Sequence, residues 1–330
     1  MNIKDIADLC GVSVATVSRV LNKDIKVAEK TRVKVLQIID EYDYVPNITG
    51  RNLRTARSNK ILVMLPTFSN QFYSSIVEGI ESEADKFGYQ VVVVMTMLEA
   101  ALERKYLDML RTKQVDGCIN FFSTFNKDEI SELSRVYPYV QGCEPTVNAQ
   151  ISSVVIDNRL AIYSACKSFI SHGHKRIAFL SGNYYKYSEQ SRERGYKEAL
   201  EEAGIPFDPE LLVKSTMYKF KDGASECEKI MKLTDPPTAI LTASDSLAIG
   251  VVNHLVSSGK VVGKDVQVLG FDNSSITSYY IPSISTIAQP RFDIGKTTFD
   301  LLFEKIENIN APNKKIILPF EIIHRNSTGN

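Results

Sequence analysis

The chain has 330 residues, 44% of them hydrophobic and 24% charged, which is enough apolar material for a large core and more than one ordinary domain holds. Its 39 Lys and Arg balance 39 Asp and Glu, so no global charge announces nucleic acid or a membrane surface. Five cysteines, Cys10, Cys118, Cys143, Cys166 and Cys227, include no C-x-x-C pair; this excludes a disulfide scaffold or zinc ribbon and predicts reduced thiols in a cytoplasmic protein.

The first helix opens the chain. Ile3, Ile6, Ala7 and Cys10 recur at i, i+3, i+4 and i+7 before Gly11, one face of a helix. Lys4, Asp5 and Asp8 lie among them, so no signal peptide is expected, and no stretch approaches the roughly 18 apolar residues of a membrane span. Ser13 stands as N-cap of a second helix with Val17, Val20 and Leu21 inward and Ala15, Thr16, Ser18, Arg19 and Asn22 outward. Small hydroxyl residues with one Arg and one Asn suit a helix lying in a DNA major groove, where Arg reads guanine and Asn adenine. A third helix, about Glu29 to Tyr42, is expected to bury Val33, Leu36 and Ile39. On pattern alone the same segment also reads, less well, as a small helical bundle with no ligand.

A basic arm follows. Tyr44 to Lys60 contains no acid and carries Arg51, Arg54, Arg57 and Lys60, and residues 1 to 59 hold ten Lys or Arg against seven Asp or Glu. Such a run is often only a solvated face; beside a helix-turn-helix pattern it is expected to meet phosphate. Pro46 sets an entry angle and Asn47 can cap one to two turns over Ile48 to Thr55. A helix that short is marginal alone, and Gly50 weakens it by a further ~0.5–1 kcal/mol.

Beyond the arm, short apolar runs alternate with amphipathic helices. Strands are predicted at Ile61 to Leu65, Val91 to Met95 and Gly117 to Phe122, with helices at Phe72 to Phe87 and Ala100 to Thr112. A second series has strands at Arg176 to Leu180, Ala239 to Thr242 and Val266 to Gly270, and helices at Arg192 to Ala203, Gly223 to Leu233 and Leu247 to Ser257. The alternation implies an α/β fold with parallel sheets in two lobes and a cleft between them. Ligands bind outside the carboxyl ends of such strands. There the sequence places Asn70, Phe72 and Tyr73, then Phe122, then Arg192 at a helix start, and Asp245 and Asp272 after later strands. Arg and Asp offer charge-assisted hydrogen bonds to hydroxyls, and rings stack on a flat face. Taken singly, each is better explained as a cap or a surface polar residue; their shared position reverses that and favours a site.

These segments carry a resemblance. Ile3 to Asn22, with its V-A-T-V-S-R-V-L-N run, resembles the headpiece of the LacI/GalR family of bacterial transcription regulators. V-D-G at Val115 to Gly117, I-D-N at Ile156 to Asn158, G-H-K-R-I-A at Gly173 to Ala178, P-P-T-A at Pro236 to Ala239, S-D-S-L-A-I-G at Ser244 to Gly250 and G-F-D at Gly270 to Asp272 are similar to family landmarks in the same order. The resemblance implies a three-helix headpiece (residues 1–45), a hinge helix or linker (46–60), and a two-lobed, periplasmic-binding-protein-like effector and dimerisation domain (61–330). Its N-lobe is expected at about 61–159 and 291–318, its C-lobe at about 160–290 and 319–330, with three crossovers. It implies a homodimer on a palindromic double-stranded DNA operator, contacted by Ser13, Val14, Ala15, Thr16, Ser18, Arg19, Asn22, Asn47, Arg51, Leu53 and Arg54, with Leu53 wedged into the minor groove. It further implies a small-molecule effector, a nucleoside or sugar, held by Asn70, Phe72, Tyr73, Phe122, Glu144, Arg192, Ser244, Asp245 and Asp272. No metal, cofactor or membrane contact is implied.

Departures from the family pattern are informative. Ala28 stands where a Ser or Thr cap is usual, a loss of about 1 kcal/mol. Ser244 replaces an Asn, Gln190 a first Arg, and Cys143-Glu144 an Asp-Arg pair. T-G-R-N-L at Thr49 to Leu53, Glu144, Ser244-Asp245 and I-A-Q-P-R-F-D-I-G at Ile287 to Gly295 are most similar to a nucleoside-responsive branch of the family. Two other classes fit less well. A solute-binding protein for transport needs a signal peptide and no headpiece; an enzyme needs a catalytic constellation, whereas His172, His174, His254 and His324 are scattered and no P-loop or G-x-G-x-x-G occurs.

Overall fold

The computed structural model describes residues 1–21, 24–44, 57–68, 71–182, 186–215 and 218–329. Contacts divide the chain into two units, Met1–Ser58 and Asn59–Asn330. In the first, Asn2 starts helix α1 (Ile3–Cys10) by accepting from the Lys4 and Asp5 amides while the Asp5 carboxylate takes the Asn2 amide at 2.7 Å, a reciprocal cap. Gly11, at φ 61°, closes α1 in the left-handed region that glycine adopts without strain. The Ser13 hydroxyl then accepts from the Thr16 amide at 3.1 Å and starts α2 (Val14–Leu21). Helix α3 (Glu29–Glu41) has no side-chain cap at Ala28.

The core of this unit is Ile6, Ala7, Cys10, Val17, Val20, Val35 and Tyr44. Here the expected α3 face needs correction. Val33 and Leu36 are 45% and 47% exposed, and Val35 is fully buried with Ile38 and Ile39 packed beside it. Two neighbouring apolar stripes run along α3, and periodicity alone cannot choose between them; packing on α1 and α2 selects the Val35 stripe.

The second unit holds two six-stranded sheets. Lobe 1 is built from β1 (Lys60–Leu65), β2 (Gln90–Met95), β3 (Gly117–Asn120), β4 (Tyr139–Gly142), β5 (Ser153–Ile156) and β11 (Lys315–Leu318), in the order β11-β5-β4-β3-β1-β2. All its pairings are parallel. Helices α4 (Phe72–Lys86), α5 (Ala100–Arg111), α6 (Lys127–Val136) and α12 (Arg291–Glu307) belong to it. Lobe 2 contains β6 (Ile177–Gly182), β7 (Leu212–Ser215), β8 (Ala239–Thr242), β9 (Gln267–Phe271), β10 (Ser285–Ala288) and β12 (Glu321–Ile323), ordered β12-β10-β9-β8-β6-β7. Only the β10–β12 pair there is antiparallel. Its helices are α7 (Asn158–Ser171), α8 (Tyr187–Glu202), α9 (Phe220–Ile230), α10 (Asp245–Ser257) and the short α11 (Ile276–Tyr279).

The chain therefore crosses between lobes three times: after β5, after β10 and between β11 and β12. The inner strands β1, β5 and β8 are almost fully buried Val, Ile and Leu runs, as parallel sheets covered on both faces require, and the edge strands β2, β7, β11 and β12 are more exposed. Two boundaries differ from expectation in ways that matter for the site. Strand β3 ends at Asn120, leaving Phe121 and Phe122 in the following loop. Helix α8 begins at Tyr187, so Arg192 lies in its second turn and does not open it. Among the described residues no helix is long and apolar enough to cross a membrane.

Candidate functional site

On the first unit, α2 turns Val17 and Val20 into the core and leaves Ser13, Val14, Ala15 and Arg19 exposed, with Thr16 and Ser18 half-buried. Among the described residues the Arg19 guanidinium donates no hydrogen bond, so its five donors stay available to a base edge or phosphate. Asn22, Asn47, Arg51, Leu53 and Arg54 lie outside the described residues, as does Asn70 of the second unit.

Between the lobes of the second unit, at the carboxyl ends of β1, β3, β6, β8 and β9, lies a cavity of about 880 Å³, within the range of small-ligand pockets. Its lobe 1 wall is aromatic. Phe72 and Tyr73 come from the first turn of α4, and Phe121 and Phe122 from the loop after β3. Tyr73 meets Phe72 and Phe121 edge-on at ring separations of 5.1 and 6.0 Å, the arrangement favoured by ring quadrupoles. Burial pushes the Tyr73 hydroxyl well above the usual phenol range, so it stays a neutral donor. The loop behind Phe122 is fastened by the fully buried Glu103 carboxylate, which accepts from Asn120 Nδ2 (2.8 Å), Ser123 Oγ (2.5 Å), the Thr124 amide (2.8 Å) and Thr124 Oγ1 (2.6 Å). Four donors satisfy a charge that would be prohibitive unpaired.

Lobe 2 supplies charge. Arg192 donates from Nε to Asn158 Oδ1 (2.8 Å) and from Nη1 to the Ala243 carbonyl (2.9 Å), and its guanidinium lies 3.8 Å from the Phe271 ring centroid. Among the described residues Nη2 donates no hydrogen bond. Asp272 follows β9 at φ 109° and accepts from Gln289 Nε2 at 2.7 Å through Oδ1, and among the described residues Oδ2 accepts no hydrogen bond. Burial, then the nearby Asp245 charge, holds the Asp272 carboxyl well above the ordinary carboxylate range, against the pull of Arg192. Ser244 also lines the cavity, with its hydroxyl accepting from the Leu247 amide at 3.3 Å as the cap of α10.

Asp245 does not belong to this wall. Its carboxylate accepts from the Ser274 amide (2.6 Å) and Thr286 Oγ1 (2.7 Å), and only 1% of the residue is exposed. As the first residue of α10, it is turned beneath β9 and β10 and ties them to the helix. Strand-end position placed it near the cavity but could not tell which way its side chain points.

Glu144, expected from the resemblance, does line the cavity, and its carboxylate on lobe 1 accepts from the Ser188 amide at 2.9 Å and from the Ser188 hydroxyl. The pair closes the N-terminal turn of α8 across the cleft. Burial raises the Glu144 pKa, and the two Ser188 bonds oppose that shift. Ser188 itself escaped the sequence reading, as did Lys186 and Glu189 in the same wall. Lys186 Nζ reaches the Ser123 carbonyl at 2.8 Å and sits 4.8 Å from the Phe122 ring. Glu189 is held by Ser181 Oγ (2.6 Å) and the Gly182 amide (2.9 Å). All three precede the expected start of α8, in a polar run that reads as loop. Among the described residues no group of His, Cys, Asp and Glu could hold a metal ion.

An outward-facing helix with an exposed Arg and a cleft built for a small molecule now find their counterparts in known proteins. Residues 2–47 match the bacterial regulatory proteins of the lacI family, and residues 166–328 the periplasmic binding protein-like domain. The HTH-type transcriptional regulator RegA of Clostridium saccharobutylicum is 36% identical over 332 residues, covering 99% of each chain. The chain belongs to the lacI family. The HTH-type transcriptional repressor CytR of Escherichia coli (strain K12) is 33% identical across 99% of this chain and 96% of its own. The crystal structure of the lac repressor dimer bound to operator and the anti-inducer ONPF superposes with a TM-score of 0.89 at 26% identity over 99% of both chains. As a member of the lacI family the protein is a DNA-binding transcriptional regulator; these relatives are regulators and not enzymes.

Proposed function

We propose that this lacI-family protein is a dimeric repressor of a catabolic or uptake operon, released from a palindromic operator by a nucleoside that binds between the lobes. Residues 1–45 act as the reading headpiece, 46–60 as the hinge and 61–330 as the effector and dimer domain. Ser13, Val14, Ala15, Thr16, Ser18 and Arg19 face the major groove. The observation that carries the effector reading is the opposition of two walls: Phe72, Tyr73 and Phe122 on one side, and on the other Arg192 Nη2 and Asp272 Oδ2, which are uncommitted among the described residues. A flat base stacks on the first and ribose hydroxyls bridge the second. A dimer on DNA is supported by the similar lac repressor, which binds its operator as a dimer.

Calorimetric titration of cytidine, uridine, adenosine and a panel of mono- and disaccharides tests the effector class. Binding of at least one nucleoside, tighter than every sugar, is the expected result; a tightly bound sugar with no nucleoside response refutes it. A pyranose also satisfies Arg192 and Asp272, and the aromatic wall is what favours the base.

A further inference from the structure

The run Ile287 to Gly295 stands out in the sequence, yet effector contact accounts for only one of its residues, Gln289. Here the chain crosses from β10 in lobe 2 to α12 in lobe 1. Arg291, the first residue of α12, donates from Nη2 to the Asn273 carbonyl at 2.9 Å and from Nη1 to the Gln71 carbonyl at 3.5 Å. Asn273 follows Asp272 in lobe 2, and Gln71 immediately precedes α4 and Phe72 in lobe 1. One guanidinium therefore touches both lobes, next to both walls of the cavity, without lining the cavity itself.

The lobe 2 end of this contact is stiff. Asp272 and Asn273 both lie at positive φ, 109° and 54°, a conformation that non-glycine residues keep only when their surroundings enforce it. Enforcement is visible: the Asp272 amide donates to the Ile287 carbonyl at 2.8 Å, the Asn273 amide to Thr286 Oγ1 at 3.2 Å, and Asn273 Oδ1 accepts from Arg325 Nη2 at 2.9 Å. A ligand that displaces the Asp272 carboxylate therefore loads the carbonyl one peptide away.

The lobe 1 end is equally rigid. A Cβ added at Gly79 of α4 would lie 2.1 Å from the Phe292 carbonyl oxygen, and one at Gly295 of α12 would lie 1.9 Å from that of Ile76. The two helices thus touch backbone to backbone, with Gln71 at the start of one and Arg291 at the start of the other, and they move as one body. Between these stiff parts, the longer Nη1 bond sits at the outer limit of hydrogen bonding and the shorter Nη2 bond is well formed. A shift of one lobe on the other changes the Asn273 distance while the Gln71 bond travels with lobe 1 and aims the guanidinium, which gives the two lobe arrangements different energies.

We propose that Arg291 is a positioning residue that transmits occupancy of the Asp272 cavity to the placement of lobe 1 on lobe 2, through its bonds to the Asn273 and Gln71 carbonyls. This rests on the reading that the effector engages Asp272. Coupling of this kind requires a contact that differs between two states and that the ligand biases; loss of Arg291 removes that contact and leaves the cavity wall intact.

The test uses the full chain, a palindromic operator selected from random DNA, and cytidine as probe. For wild type, Arg291→Lys and Arg291→Ala, operator affinity is measured with and without saturating cytidine, and the cytidine affinity separately by calorimetry. Arg291→Ala is expected to keep ligand-free operator affinity within about twofold and to lose at least fivefold of the cytidine-induced change. Arg291→Lys, which keeps the charge but not the fork, is expected to fall between them. An unchanged cytidine-induced shift in Arg291→Ala overturns the proposal, as does loss of cytidine binding in proportion to loss of the shift. Pulsed electron paramagnetic resonance between spin labels at the exposed Glu81 and Lys264 provides a ligand-free readout. A shifted or broadened distance distribution in Arg291→Ala supports the strut, and an unchanged one overturns it. If wild type binds no cytidine, the nucleoside reading fails while the distance measurement still decides the role of Arg291.

Discussion

The two units carry their chemistry in opposite ways. In Met1–Ser58 the candidate reading residues project from one eight-residue helix, and Arg19 makes no side-chain hydrogen bond to the rest of its unit among the described residues. In Asn59–Asn330 the candidate ligand residues point inward from elements far apart in sequence, and several also hold the fold together: Arg192 bonds Asn158 and the Ala243 carbonyl, Glu144 closes α8, and Ser244 caps α10. Recognition and stability are thus separable at Arg19 of the first unit, Ser13 being the exception as the cap of α2, and entangled in the second. A binding defect in the headpiece can come without a folding defect, whereas one in the cleft is expected to bring both.

Arg192→Ala is the strongest challenge to this contrast. It removes two charge-assisted bonds and the Phe271 contact, so it is expected to abolish nucleoside binding and to lower unfolding stability by about 3 kcal/mol, read by calorimetry and by denaturant titration of the same sample. Full stability with lost binding would show that the cleft is as separable as the headpiece. Arg19→Ala should weaken operator binding by about 1–3 kcal/mol, the worth of one bidentate base contact, with an unchanged melting transition; a melting shift would mean that Arg19 belongs to the fold.

Asp272 supplies a pH signature. Its folded pKa is raised, so the carboxylate is disfavoured in the native cavity, and stability falls as pH climbs from the ordinary carboxylate value through the raised one. A ligand hydroxyl that donates to the carboxylate works the other way: affinity should rise over the same interval. Asp272→Asn, which never ionises, should lose both dependences relative to wild type between the ordinary carboxylate range and the raised value of about 8. Parallel pH curves for the two proteins would place the titration elsewhere. The smallest effect is on the headpiece: Ala28→Ser should add back a cap and stabilise it by about 1 kcal/mol without changing operator specificity, measured by thermal unfolding and competition gel shift.

How far each region could be read in advance follows the same divide. The outward face of α2 was legible because helical period fixes which side chains oppose Val17 and Val20. The inward face of α3 was not, because Val33 and Leu36 form an apolar stripe beside the one that Val35 uses, and only packing decides between them. In the cleft, position at strand ends and helix starts located Phe72, Tyr73, Phe122, Arg192 and Asp272, and resemblance added Glu144 and Ser244. Neither could say that Asp245 turns beneath the sheet toward Thr286, nor that the polar run from Lys186 forms the first turn of a helix that bonds across to Ser123 and Glu144. Those are long-range pairings with no local signal. Gln289 and Arg291 were visible only as part of a recognisable run, and their partners emerge once the crossover brings them beside Asp272 and Asn273.

Under the proposed function, a nucleoside in the cleft sets the grip of the headpiece on DNA. The most direct test is fluorescence anisotropy of the selected operator bound by the full chain while cytidine is titrated in. A drop in operator affinity of roughly tenfold, within the usual range of allosteric coupling, that saturates with the calorimetric cytidine affinity and is absent in Arg192→Ala is the predicted result. Operator affinity that stays constant while calorimetry shows the cleft to be saturated would contradict nucleoside control of DNA binding.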